Sequence, residues 1–392
     1  MKSFSYLATI SALACIASFA QVTPPFSSGG HTYNISSAPI GVFLNFSGHW
    51  LYEPSVISPS PATGNQWVML FNSNLDAGVG GTNTGINEAI FLATSSDGKT
   101  AATQPQAVLY NTSAANVCDM IDARPIWDGS LWHVYTQVAP YPYNASTHQC
   151  SPPAFIAEAT GPSLTQLAWV LDPGTNNATE IIQCNCTSPS VGIGEAFQVF
   201  NTQPYDGYPS DPYLIVYNNW AYNPGSQMFA YLTNFSQYYY WYNVAPAYTP
   251  ASGAIYADVV LDSPSGSSTG TNFAYGAGSS CTNGQTYYYM NTLGFYPTPV
   301  PYPSGTPQDA ITVSYQIQSE SSDGNGQRGF VPRFARNEYG YLDVTQTSPN
   351  TWTTYVYYND SQISKNPGDN CGYTNWSGAQ RFSVSQVTFT QQ

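Results

Sequence analysis

One phrase recurs along the chain: an acidic residue, a small residue or proline, an apolar strand, a polar turn, then an aromatic strand. It reads Glu53-Pro54-Ser55-Val56-Ile57 ahead of a strand at Trp67, and Asp122-Ala123-Arg124-Pro125-Ile126, the turn Asp128-Gly129, and a strand at Trp132. A third copy runs Glu195-Ala196-Phe197-Gln198-Val199-Phe200 to the strand at Tyr213, and a fourth Asp258-Val259-Val260-Leu261 to Phe273-Ala274-Tyr275. A degenerate fifth is Gly329-Phe330-Val331-Pro332-Arg333-Phe334, then Tyr339-Gly340-Tyr341-Leu342. The acidic positions are 69, 73 and 63 apart, and Asp258 to Val331 is again 73. A fixed period of this kind marks repeated supersecondary units that bury their faces only against their neighbours. It suits a four-stranded antiparallel blade with long loops, and five such units fill Glu53 to the C-terminus. The expected fold is therefore all-β, a five-bladed β-propeller with four-stranded antiparallel blades, in which Gln21 to about Trp50 closes the ring. An elaborate β-sandwich is the competing architecture.

Local signals agree. Gln66–Phe71, Trp132–Thr136, Tyr213–Tyr217 and Trp352–Tyr358 are short, β-branched or aromatic, and bounded by turn residues. No window carries a sustained helical period. Ser263–Thr271 and Tyr296–Pro307 read as surface loops rather than domain boundaries.

Charge removes several function classes. Only 8% of the residues are charged, against roughly 25% in ordinary proteins. Eight Lys+Arg face 22 Asp+Glu, a net charge of -14. That balance cannot supply the basic footprint a nucleic acid requires, nor attract an anionic membrane. Lys2, the apolar run Tyr6–Ile16 and Ala17-Ser18-Phe19-Ala20 read as a secretory signal over residues 1–20. A lipoprotein box at Ala12-Leu13-Ala14-Cys15 is the weaker reading of the same segment. Residues 21–392 are then one secreted domain, expected to be a monomer without membrane insertion. Six cysteines remain: Cys118, Cys150, Cys184, Cys186, Cys281 and Cys371. They suggest up to three disulfides in an oxidising compartment, with the connectivity open. Nine Asn-x-Ser/Thr sequons, among them Asn34, Asn45, Asn111, Asn144, Asn234 and Asn375, are compatible with glycosylation.

Equivalent strand starts in a propeller converge at one end of the central channel, so Glu53, Asp122 and Glu195 are the candidate catalytic group. Two carboxyls suffice for glycoside hydrolysis, one protonating the leaving oxygen and one activating water or attacking the sugar. A third carboxylate nearby raises the acid's pKa by like-charge repulsion. The plainer reading is structural, with Arg124 close enough to pair with Asp122. Trp50, Trp127 and Trp220 flank the proposed channel strands and are expected to offer apolar faces to sugar rings. Asp258 and Arg328, at the fourth and fifth copies, complete the expected substrate-binding set.

The order Glu53-Pro54, then Asp122-Ala123-Arg124-Pro125 with Asp128-Gly129, then Glu195-Ala196 before Tyr213–Tyr217, resembles the five-bladed propeller glycosidases. It is most similar to the family 43 glycoside hydrolases, the arabinanases and xylosidases. The blade rhythm covers the whole mature chain, while each motif is only two or three residues long. The resemblance implies Glu53 as general base, Asp122 as pKa-tuning carboxylate and Glu195 as general acid, with inversion at an arabinofuranoside or xyloside. The first position is Glu where the family has Asp. The histidine that the family carries in a later blade has no counterpart, since His31, His49, His133 and His148 all lie in the first half. A non-catalytic carbohydrate-binding or cell-surface propeller is therefore the alternative. No cofactor is expected beyond a structural cation in the channel.

Other motifs carry less. Gly266-Ser267-Ser268-Thr269-Gly270 has the letters of a nucleophile elbow but sits in a Ser/Gly loop with no helix after it. Asp323-Gly324-Asn325-Gly326 reads as a hairpin turn rather than a calcium loop. The aromatic runs Tyr238–Tyr242 and Tyr287–Tyr289 send alternate residues inward as strands and read first as packing.

Overall fold

The computed structural model describes residues 21–22, 26–28, 31–49, 51–76, 88–147, 149–181, 193–201, 213–219, 227–232, 242–248, 258–261, 272–282, 285–295, 312–320, 327–328, 331–332, 339–341, 345–359 and 381–392. Three N-terminal strands, β1 (Gln21–Val22), β2 (Phe26–Ser28) and β3 (His31–Asn45), precede four sheets of four strands. The first sheet holds β4 (Tyr52–Ile57), β5 (Trp67–Asn74), β6 (Glu88–Ser95) and β7 (Gln106–Tyr110). The second holds β8 (Asp119–Trp127), β9 (Trp132–Ala139), β10 (Phe155–Gly161) and β11 (Ala168–Trp169). The third holds β12 (Ile193–Asn201), β13 (Tyr213–Asn219), β14 (Gln227–Leu232) and β15 (Tyr242–Tyr248). The fourth holds β16 (Asp258–Leu261), β17 (Asn272–Thr282), β18 (Gln285–Phe295) and β19 (Thr312–Glu320). A hairpin of β20 (Gln327–Arg328) and β21 (Val331–Pro332) follows. Finally β22 (Tyr339–Tyr341), β23 (Thr345–Ser348), β24 (Thr351–Asn359) and β25 (Arg381–Gln391) join β1–β3 in a closing sheet.

All pairings are antiparallel, and each four-stranded sheet is a meander in chain order. The two helical elements among the described residues are single 3₁₀ turns, Pro61–Thr63 and Ser113–Ala115. No helix among these residues is long and apolar enough to cross a membrane.

The first sheet shows how neighbours are held. Strand β5 is an almost unbroken apolar run, Val68-Met69-Leu70-Phe71, because both of its faces are covered. Val68 and Leu70, with Ile90 and Leu109, pack against Met120, Ala123, Trp132 and Val134 of the second sheet. Met69 and Phe71, with Ala89 and Phe91, pack against Phe43, Leu44, Tyr357, Phe382 and Val384 of the closing sheet. Full burial of such side chains stabilises by about 1.5–3 kcal/mol each. A two-layer sandwich would cover only one face of each sheet, so the first sheet excludes that arrangement here. Within the first sheet a Cβ on Gly98 would come within 2.9 Å of the Trp67 ring, and the backbone there has φ +68°. The Tyr357 hydroxyl donates to the Gly98 carbonyl at 2.7 Å.

First strands of successive sheets are neighbours: β4 with β8, β8 with β12, β12 with β16, β16 with β22, and β22 with β4. One expectation needs correcting. The fifth repeat copy opens at Gly329–Phe334, whereas among the described residues Val331–Pro332 pairs only with Gln327–Arg328. The strand between β16 and β4 is instead Tyr339–Tyr341. Hydrogen bonding decides the outcome: Tyr339–Tyr341 pairs with β24 of the closing sheet, whereas Val331–Pro332 folds back on the adjacent Gln327–Arg328.

Candidate functional site

Three carboxylate residues share a backbone irregularity. Between the pairs Tyr52↔Asn72 and Ser55↔Leu70, Glu53 and Pro54 stand opposite Phe71 alone. Between Ile121↔Gln137 and Arg124↔Tyr135, Asp122 and Ala123 stand opposite Thr136 alone. Between Ile193↔Asn219 and Ala196↔Tyr217, Gly194 and Glu195 stand opposite Asn218 alone. Each first strand β4, β8 and β12 thus carries a β-bulge near its start, at the residue singled out by sequence. Bulges bend a strand, re-aim side chains and recur beside active sites. Strand β16 departs from the pattern, pairing Asp258↔Ala277 onward without a shift.

At the second bulge, Asp122 adopts φ +65°, a left-handed conformation that aspartate tolerates better than most residues. Its side chain is buried, at 3% exposure, with Arg124 beside it equally buried. An Arg124 Nη2–H donates to Asp122 Oδ1 at 2.7 Å, and Nη1–H donates to the Pro54 carbonyl at 3.2 Å. From β5, Asn72 donates through Nδ2 to the Met120 carbonyl at 2.6 Å and accepts from the Asp122 N–H at 3.1 Å. Burial pushes the Asp122 carboxyl up to about 6, with the Arg124 charge and hydrogen bond pulling the other way. Asp122 is therefore a carboxyl whose charge changes just below neutrality.

Next to it, Asp119 begins β8. Burial raises its carboxyl, against hydrogen bonds from Glu88 and the Met120 N–H. Two carboxyls in hydrogen-bond contact hold a proton between them when one is neutral. The Cys118–Cys150 disulfide ties this strand start to the β9–β10 loop. It agrees with the oxidised cysteines expected from sequence. Cys184, Cys186 and Cys371 lie outside the described residues, and Cys281 is placed by backbone on β17.

The other sequence candidates fall out as follows. Glu53, Glu195, Asp258 and Arg328 are placed by backbone, on β4, β12, β16 and β20. Trp50 and Trp220 lie outside the described residues. Trp127 ends β8, at the opposite end from Asp122, and its ring packs on Trp132 with centroids 5.4 Å apart. Partly buried against the core shared with the first sheet, Trp127 is not brought to the bulges.

Sequence reasoning did not single out Asn72, Glu88, Asp119, His133 or Glu158. His133 sits at the far end of the second sheet, 3% exposed. Its Nδ1 meets Glu158 Oε1 at 2.5 Å and its Nε2 meets Asp128 Oδ2 at 3.1 Å. Burial disfavours the imidazolium, but Glu158 and then Asp128 outweigh it and raise the ring above its ordinary value. Burial also lifts Asp128, yet the N–H groups of Leu131 and Ser130 and the His133 ring hold its carboxyl down, at about 2. Among the described residues no group of three or more His, Cys, Asp and Glu is arranged to hold a metal ion.

No family model matches the chain, and no curated protein does. Solved structures match it at low identity. Zg3597, a family 117 glycoside hydrolase from the marine bacterium Zobellia galactanivorans, superposes with a TM-score of 0.46 at 10% identity, covering 91% of this chain and 90% of that one. The catalytic domain of a Coprinopsis cinerea GH62 alpha-L-arabinofuranosidase gives 0.46 at 8% identity, over 90% and 96%. An endo-arabinase from Bacteroides thetaiotaomicron gives 0.44 at 13%, over 82% and 94%.

Proposed function

We propose that this chain is a secreted glycoside hydrolase on a five-bladed β-propeller, cleaving arabinofuranosyl or xylosyl linkages in a polysaccharide. The closed succession of first strands, β4, β8, β12, β16, β22 and back to β4, supports five blades around one axis. A single observation carries the catalytic reading: Glu53, Asp122 and Glu195 each occupy a bulge near the start of one of three neighbouring first strands.

In this reading Glu53 removes a proton from water as the water oxygen bonds to the anomeric carbon. Glu195 gives its proton to the departing glycosidic oxygen as the C–O bond breaks, and inversion results. Asp122, buried and paired with Arg124, touches no substrate. Its role is electrostatic: once ionised it keeps the Glu195 proton in place by like-charge repulsion. The carboxyls of Glu53 and Glu195 should then be roughly 6.5–9.5 Å apart, leaving room for the water.

The test is turnover of arabinan, xylan and aryl glycosides, with the product anomer followed by NMR. Glu195→Gln should abolish polysaccharide cleavage and spare some aryl-glycoside turnover, because a good leaving group needs little protonation. Glu53→Gln should abolish both. Full activity in both variants sinks the assignment. Oligosaccharide binding without any cleavage by the wild type would make the chain a carbohydrate-binding platform instead.

A further inference from the structure

The two bulges of the first and second sheets are latched to each other reciprocally. Asn72 is the backbone partner of Tyr52, immediately before the Glu53–Pro54 bulge. Its side chain reaches across to the other bulge, holding the Met120 carbonyl and the Asp122 N–H that flank the irregularity. Arg124 is the first residue to regain pairing after the Asp122–Ala123 bulge. Its guanidinium reaches back to the Pro54 carbonyl inside the first bulge while gripping Asp122. Each bulge is thus held by a residue standing at the edge of the other.

The chemistry of the two side chains suits this task. A bulge withdraws backbone groups from the ladder, and buried groups left unpaired are costly. The Asn72 amide spends one N–H and its oxygen on the bulge, as a peptide unit would, so it replaces the missing ladder contacts. The planar guanidinium places two nitrogens at fixed separation, which a lysine ammonium cannot do. Asn72 is fully buried and Arg124 nearly so, so the latch works without solvent in between.

We infer that Asn72 and Arg124 are positioning residues that fix the Glu53 bulge relative to the Asp122 carboxyl. This deepens the glycosidase reading and rests on it for its kinetic arm. A displacement near 1 Å at a reacting group lowers rates on the order of 100-fold. Losing either half of the latch should therefore lower kcat about 10- to 100-fold and leave KM within about threefold.

The experiment uses Arg124→Lys, which keeps the charge beside Asp122 but shortens the fork, and Asn72→Asp, which is isosteric. Steady-state kinetics across pH are combined with NMR titration of 13C-labelled aspartate carboxyls. Arg124→Lys should lower kcat at constant KM and move the Asp122 titration upward, with folding retained by circular dichroism. Asn72→Asp should be impaired at neutral pH and recover as acid protonates the new carboxyl, because the neutral acid again donates to Met120 and accepts from Asp122. A purely structural role would lower the melting temperature without that pH-dependent rescue. Wild-type kcat, pH profile and Asp122 titration in both variants would overturn the inference. If the wild type cleaves no glycoside, the NMR arm still decides: a displaced Asp122 titration upholds the latch while the catalytic reading falls.

Discussion

The two ends of the second sheet solve the same problem in opposite ways. At the start of β8, burial raises Asp119 and Asp122, and neither the Glu88 hydrogen bond to the one nor the Arg124 guanidinium beside the other offsets it. At the far end, His133 lies between two carboxylates, and the histidine rises while Asp128 falls. Both ends bury charge, but only the first raises its carboxyls, Asp122 to about 6. Poised acids are what acid–base chemistry requires. A satisfied cation between two carboxylates is what a structural clamp requires. The difference separates an end with raised carboxyls from a holding end within one four-stranded sheet.

The largest expected effect comes from breaking the first end. Arg124→Met leaves Asp122 buried without its cation, and stripping one partner from a buried pair costs about 3–5 kcal/mol. Denaturant melts should show that loss at pH 7 and a smaller one at pH 5, where the carboxyl, no longer held down by Arg124, becomes neutral. An equal loss at both pH values would mean Asp122 is not the group left stranded.

Breaking the holding end should cost less and show the opposite pH trend. The folded pKa of His133 lies above the histidine reference near 6.5, so its stabilisation is full below that value and disappears as pH rises through the folded pKa. His133→Gln should therefore cost about 1.5–3 kcal/mol at pH 5.5, the scale of a hydrogen bond to a charged group. The gap from wild type should narrow on the alkaline side. A pH-independent gap would show that His133 acts through packing alone.

The smallest effect is a gain. Asp119 has a raised folded pKa, so its contribution is present below the aspartate reference and is lost as pH rises through the folded value. Glu88→Gln keeps a hydrogen-bonding side chain against Asp119 without a second acid. It should stabilise by about 1 kcal/mol at pH 7 and make no difference at pH 4, measured by thermal melts at the two pH values. Destabilisation at pH 7 would mean the pair is not sharing a proton.

Much of this was legible in the sequence because it is local. The strands at Trp67, Trp132, Tyr213 and Trp352 declare themselves by β-branched and aromatic runs, and β5, β9, β13 and β24 lie there. The acidic openings of three repeats coincide with bulges because proline, glycine and a left-handed aspartate all weaken regular pairing. Arg124 is legible as a partner of Asp122 because two residues along a strand share a face. Asn72 is not: it lies 50 residues from Asp122 in sequence, and an asparagine within an apolar strand looks like a strand end. Separation along the chain likewise hides Glu88 from Asp119 and Glu158 from His133. The fifth copy is not legible either, because Val331–Pro332 and Tyr339–Tyr341 look alike locally and differ only in their pairing partners.

The pairing of β3 with β25, from Asn45↔Arg381 to Tyr33↔Gln391, has a consequence for synthesis. On the ribosome β3 emerges beside β1 and β2, but its long partner β25 follows only after all the other described strands. The apolar face formed by Met69, Phe71 and Phe91 waits with it, because Phe382 and Val384 that cover it lie on that last strand. Such long-separation contacts form slowly, and an uncovered apolar sheet face invites association with other chains. The final eleven-residue strand therefore governs when a nascent molecule stops being sticky.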